Sequence, residues 1–193
     1  VYLGLGLVVW NTLGGAIGSA PNLFEHNRNH VHNTNLNPIF FTLEEWAFQV
    51  QTFIQSFVLV LVALSFFQHD LFLNLLCFSW IPLLNLSLFL FWFPVLICLL
   101  GARYRDLYQL VPIVLQLVFL LSPILYEKKN LASLAWTASI NPVYQVLSQV
   151  RDTLINGTVN MPLNALIFLM NCLGIWIATY WINRERYNLP FLI

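Results

Sequence analysis

The sequence predicts an all-α, polytopic membrane helical bundle, and three observations carry that prediction. Of 193 residues, 59% are hydrophobic and only 8% are charged, with a mean hydropathy of +0.74, whereas soluble domains carry about 25% charge. Eight basic and eight acidic residues could not cover the surface of a water-soluble core of this length. Apolar stretches of about the 20 residues a helix needs to cross a bilayer recur at roughly 1–20, 46–67, 78–101, 108–126 and 163–183. None alternates polar and apolar residues as a transmembrane barrel strand does.

The first stretch is apolar from Val1 onward, without the charged n-region or small-residue cleavage site of a signal peptide. The segment Ser19 to Glu45 that follows is the most polar part of the chain, with Glu25, His26, Arg28, His30 and His32 among many asparagines, and reads as a solvated loop with a docking helix. His26, His30 and His32 have HxxxHxH spacing, but without Cys or Asp neighbours no metal site is expected. Beyond the second span, the uncharged run Leu71 to Gly101 holds 31 residues, about 46 Å as a helix against a hydrocarbon core of about 30 Å. It cannot all be one upright span. Trp80, Pro82, Asn85 and Pro94 suit an interfacial entry followed by a kinked or tilted helix, with a split into two spans as the alternative.

After the fourth stretch, Asn141 and Pro142 read as a helix start, because asparagine caps the first amides and proline suits the first turn. Val143, Val146, Leu147 and Val150 then recur at helical spacing with Gln145, Gln149 and Asp152 opposite, until Asn156-Gly157 ends the helix. This short amphipathic helix, re-entrant or interfacial, lies in the loop from Glu127 to Pro162. Asn156-Gly157-Thr158 and Asn85-Leu86-Ser87 match the glycosylation pattern without establishing a secretory-pathway protein.

Orientation follows from the basic residues. A cytoplasmic carboxyl terminus puts Arg28, Arg103, Arg105, Arg184 and Arg186 inside and leaves Lys128, Lys129 and Arg151 outside. The balanced charge gives no reason to expect nucleic acid. Cys77, Cys98 and Cys172 lie in apolar stretches without CxxC spacing and read as small hydrophobes. No phosphate-binding glycine loop and no intramembrane carboxylate pair is present, so catalytic and proton-relay chemistry find no support. Asn11, Gln51, Gln55, Asn85, Gln116 and Asn171 within the spans read as interhelical hydrogen-bonding groups, or as a polar path lined with aromatics.

Three motifs in order carry a family resemblance. Leu100-Gly101-Ala102-Arg103-Tyr104-Arg105-Asp106-Leu107 is followed by Leu121-Ser122-Pro123-Ile124-Leu125-Tyr126 and then by Ile140-Asn141-Pro142-Val143-Tyr144. Together they resemble the carboxyl-terminal half of the polysaccharide-export permeases among type-2 ABC transporters, which include O-antigen, capsule and teichoic acid exporters. His32-Asn33-Thr34-Asn35-Leu36-Asn37-Pro38 resembles their first large cytoplasmic loop, with Asn-Pro where many members have Leu-Pro.

The resemblance implies a six-span permease subunit preceded by an interface helix, in a homodimer with two separate ABC ATPase subunits in the bacterial inner membrane. On that pattern residues 1–193 form a single transmembrane permease domain lacking the interface helix and first span. It further implies export of a glycan on a polyprenyl diphosphate lipid, as in lipopolysaccharide or capsule assembly, with no covalent chemistry and no cofactor in this subunit. His26, Arg28, His30, His32 and Asn33 are then expected to couple to the ATPase, and Arg103, Arg105 and Asp106 to act in substrate entry or coupling. Trp10, Phe119, Tyr126 and Tyr144 are expected along the substrate path, because aromatic faces suit sugars. The competing classes are an intramembrane transferase using His69 and Asp70, and a channel or structural subunit without an ATPase.

Overall fold

A computed structural model describes residues 1–33, 37–124 and 140–189. Among these residues every regular element is a helix, and four helices are long and apolar enough to cross a membrane. The first is α1 (Tyr2–Ser19), which continues through a 3-10 turn at Ala20–Asn22 into α2 (Leu23–His26). Its buried residues Leu5, Val9, Leu13, Ala16 and Ile17 recur at helical spacing and turn one stripe inward. A short α3 (Arg28–Asn33) completes the polar connection.

The second crossing helix is α4 (Ile39–Ser65), which starts well before residue 46, where apolarity alone would begin it. Asn37 Oδ1 accepts the Ile39 N–H at 3.2 Å, and Glu45 accepts from Gln49 at 2.8 Å and Ser19 at 3.2 Å. These polar contacts let the first turns of α4 extend past the apolar stretch.

The long uncharged run resolves into two unequal helices. α5 (Asp70–Phe78) has nine residues, about 13 Å, and cannot cross a bilayer. Ser79 separates it from α6 (Trp80–Arg103), the third crossing helix, which runs through Pro94. The run is thus one span preceded by a short packed helix.

The stretch expected to span from 108 to 126 gives α7 (Leu107–Leu121), of 15 residues, or about 22 Å. It stops because Ser122 precedes Pro123, whose ring disfavours the helical region for its neighbour; Ser122 is extended at φ −93°, ψ 137°. Four full-length helices and this shorter one therefore stand where five spans are expected. α8 (Pro142–Asn156) and the fourth crossing helix, α9 (Met161–Glu185), follow.

The bundle has two chemically distinct ends. At one, Gly101 of α6 meets Pro21, and Asn37 lies 3.4 Å from Asn183 of α9. Arg28, Arg103, Arg105, Arg184 and Arg186 sit beside these contacts in sequence, making this the arginine-rich end. At the opposite end the α4–α5 turn, α5 and the turn after α7 gather around α8. The main core runs between them, from Leu5, Val9 and Leu13 of α1 through Phe53, Phe57 and Leu61 of α4 and Phe89 of α6 to Val146, Leu147 and Leu154 of α8.

Candidate functional site

The sequence of α8 has amphipathic spacing, yet ten of its fifteen residues are buried. It packs against α1, α5 and α6, with more than one face covered by the bundle. The terminal amides and carbonyls that a helix cannot pair internally find side-chain partners here. At its start Asn141 Oδ1 accepts the N–H of Val143 at 3.0 Å and of Tyr144 at 3.4 Å, while Asn141 Nδ2 donates to Ser122 at 2.8 Å. At its end Asn74 Nδ2 donates to the Leu154 carbonyl at 2.8 Å, and Gln68 Nε2 to that of Ile155 at 3.3 Å. The chain then leaves through Gly157 at φ 65°, where a Cβ would lie 2.7 Å from Asn74 Oδ1. α5, too short to cross, thus supplies Asn74 to the end of α8, and the turn before it supplies Gln68.

A polar ladder ties this helix to the spans. Gln149 accepts from Asn164 Nδ2 at 2.9 Å, and Asn85 Nδ2 donates to the Asn164 carbonyl at 3.1 Å. Asn171 Nδ2 donates to the Asn85 carbonyl at 2.9 Å, and Trp92 Nε1 to Asn171 Oδ1 at 2.9 Å. Asn85 and Asn171 are thus interhelical hydrogen-bonding groups. Gln51 and Gln55 differ: with Thr52 and Ser56 they form an exposed polar stripe on α4.

Asn11 and Gln116 belong to another setting, a groove of about 390 Å³ between α1 and α7. It is lined by Trp10, Asn11, Gly14 and Gly18 on one wall and Gln116 and Phe119 on the other, among other residues. The rings of Trp10 and Phe119 face each other with centroids 5.4 Å apart at 41°. No α7 residue is buried, so the groove lies at the edge of the bundle. Two of the expected path residues therefore meet in one groove. Tyr144 is instead buried in α8 with its hydroxyl 3.4 Å from Arg151, and Tyr126 lies outside the described residues.

The coupling residues sit at the arginine-rich end. His26, Arg28 and His30 are exposed, with Arg28 3.7 Å from Glu25; the side chains of His32 and Asn33 lie outside the described part. Arg103, Arg105 and Asp106 are exposed between α6 and α7, and the Arg103 guanidinium lies 6.0 Å from the Tyr104 ring centroid. Among the described residues no group of three or more His, Cys, Asp or Glu comes together to hold a metal. His69 and Asp70 are exposed where α5 begins, and line neither the α1/α7 groove nor the apolar groove between α4, α5 and α6.

Arg151 stands out only once the fold is known. It is 1% exposed, although loop charge counting treats it as an outer-side cation. Its signal in the sequence is register: it follows Leu147 by four residues and so falls on the apolar face of the helix.

Residues 1–155 match the family model described as ABC-2 type transporter. The chain is 27% identical over 116 residues to the O-antigen export system permease protein RfbA of Klebsiella pneumoniae. That match covers 57% of this chain and 45% of the relative, so the chain spans about half the length of the curated protein it matches.

Proposed function

The chain belongs to the ABC-2 type transporter family and is a multi-pass membrane component of a transporter, from which we propose that it is the permease of an ATP-driven exporter of lipid-linked polysaccharide. The observation that carries the substrate class is the α1/α7 groove, where the Trp10 and Phe119 rings stand beside the Asn11 and Gln116 amides. Flat apolar faces next to hydrogen-bonding groups suit pyranose rings, which have apolar faces and polar rims. The 27% identical O-antigen export permease points the same way.

In this reading the arginine-rich end is cytoplasmic, in the bacterial inner membrane. A separate ABC ATPase docks there against the segment of His26, Arg28, His30, His32 and Asn33. Its closure on ATP shifts the spans between two states that contact the substrate differently. Arg103, Arg105 and Asp106 stand exposed at the turn into α7, the helix that forms one wall of the groove, and an arginine there can grip a diphosphate through paired hydrogen bonds. Two copies work together, and the exposed stripe of Gln51, Thr52, Gln55 and Ser56 supports a further helix against α4, because amides facing lipid favour a polar helical partner.

The test is export by the full-length permease with its ATPase, carrying Trp10→Ala or Phe119→Ala. If each ring contributes about 1 kcal/mol to holding a sugar, each variant exports about three- to tenfold more slowly with assembly unchanged. Normal export by Trp10→Ala, Phe119→Ala and the double variant would remove the groove from the substrate path.

A further inference from the structure

Arg151 is a cation buried at the end of the bundle opposite the arginine-rich one, and a buried charge persists only where its surroundings replace water. Its own helix supplies part of that replacement. Nε donates to Asp152 Oδ1 at 2.9 Å, and Nη2 lies 3.4 Å from the Tyr144 hydroxyl. The remaining contacts reach two other elements. The guanidinium carbon lies 3.7 Å from the ring centroid of Tyr2, at the start of α1, and Nη1 donates to the Pro123 carbonyl, just past the end of α7, at 3.1 Å.

Those two elements are the walls of the groove. They flank the Trp10–Phe119 pair, then converge where Tyr2 Oη donates to the Pro123 carbonyl at 3.4 Å. A Cβ at Gly6 would come 3.2 Å from the Ile124 carbonyl and 3.8 Å from Arg151 Cδ. The guanidinium therefore fills the seam between the walls. We propose that Arg151 is a positioning residue that fastens α1 to the α7 exit turn, closing the groove at this end until α8 moves.

The chemistry of the contacts suits a fastening that releases. Toward α1 the guanidinium meets a ring face, and toward α7 a neutral carbonyl. The carboxylate it pairs with belongs to α8 itself, and the Asp152 side chain is 46% exposed. When α8 shifts, the cation keeps its counter-ion and gives up its two contacts with the walls, which leaves the long 3.4 Å hydrogen bond from Tyr2 to Pro123 as the direct link between them. The inference rests on the groove being the transport path, but the fastening can be measured independently of transport.

The experiment uses the full-length permease with its ATPase, with the exposed cysteines replaced as Cys77→Ser and Cys172→Ser. Spin labels on Leu3→Cys and Leu121→Cys, both exposed positions on the two walls, report their separation by pulsed electron resonance without nucleotide. With Arg151 and Tyr2 intact, a single short distance is expected. Arg151→Gln and Tyr2→Leu should each raise the long-distance fraction at least fivefold, Arg151→Lys should restore part of the short one, and Tyr2→Phe, which keeps the ring, should leave it unchanged. Separately, Asn11→Cys in the groove should react at least tenfold faster with an impermeant maleimide added from the Arg151 side when Arg151→Gln is present. An unchanged distance in assembled Arg151→Gln and Tyr2→Leu transporters overturns the fastening; should Arg151→Gln fail to assemble, the Tyr2→Leu and Tyr2→Phe pair decides, because equal widening in both would assign the link to the Tyr2 hydroxyl on Pro123 and overturn the role of Arg151. Wider walls with neither faster labelling nor altered export would support the fastening and overturn the groove as the path.

Discussion

Gly101→Ala is expected to prevent normal packing of the arginine-rich end and to destabilise the permease by about 3 kcal/mol or more. A Cβ at this position would lie 2.6 Å from Pro21 Cα and 2.7 Å from the Pro21 carbonyl oxygen. Both obstacles are backbone, so no side-chain rotation relieves them. α6 and the turn after α1 would have to separate, opening the cluster of Ala20, Phe24, Cys98 and Ala102. Thermal unfolding in detergent, followed by tryptophan fluorescence, checks this against Gly14→Ala, where the nearest atoms belong to a movable Trp10 side chain at 3.8 Å. A Gly101→Ala protein melting with the unsubstituted one would show that the α6–Pro21 contact is looser than described.

Asn164→Leu is expected to cost about 1–3 kcal/mol and to free α8 from α9. The substitution keeps the branched shape, at a somewhat larger volume, but removes the donor to Gln149 and the side-chain acceptor for Asn85. Gln149 is then left buried with an unsatisfied acceptor, which costs more than the lost bond itself. A second substitution, Gln149→Leu, removes that orphan, so the double variant should be less destabilised than the sum of the singles. Additive losses in the double-mutant cycle would mean that the two side chains are not coupled.

The helical membrane class was legible because it rests on composition and on runs of apolar residues, which no tertiary contact alters. The start of α8 was also legible, since Asn141 and Pro142 act locally and the cap forms as their chemistry demands. Its burial was not. Amphipathic spacing at Val143, Val146, Leu147 and Val150 cannot tell one packed face from several, and the groups that satisfy the far side come from Asn74, Pro123 and Asn164, distant in sequence. The shortness of α7 was written in Ser122-Pro123 but outweighed by the apolar run. Of the path residues, Trp10 and Phe119 share a groove because α1 and α7 run side by side, whereas Tyr144 meets Arg151 because the two lie seven residues, about two turns, apart on one face of α8.

The central claim, that a lipid-linked glycan travels along the α1/α7 groove, is tested most directly by photocross-linking in the intact transporter. A benzophenone amino acid replacing Trp10 or Phe119 should capture the glycan during ATP turnover, and one replacing Phe48 on the outward face of α4 should not. Capture at Phe48 with none at Trp10 or Phe119 would place the substrate elsewhere and contradict the account.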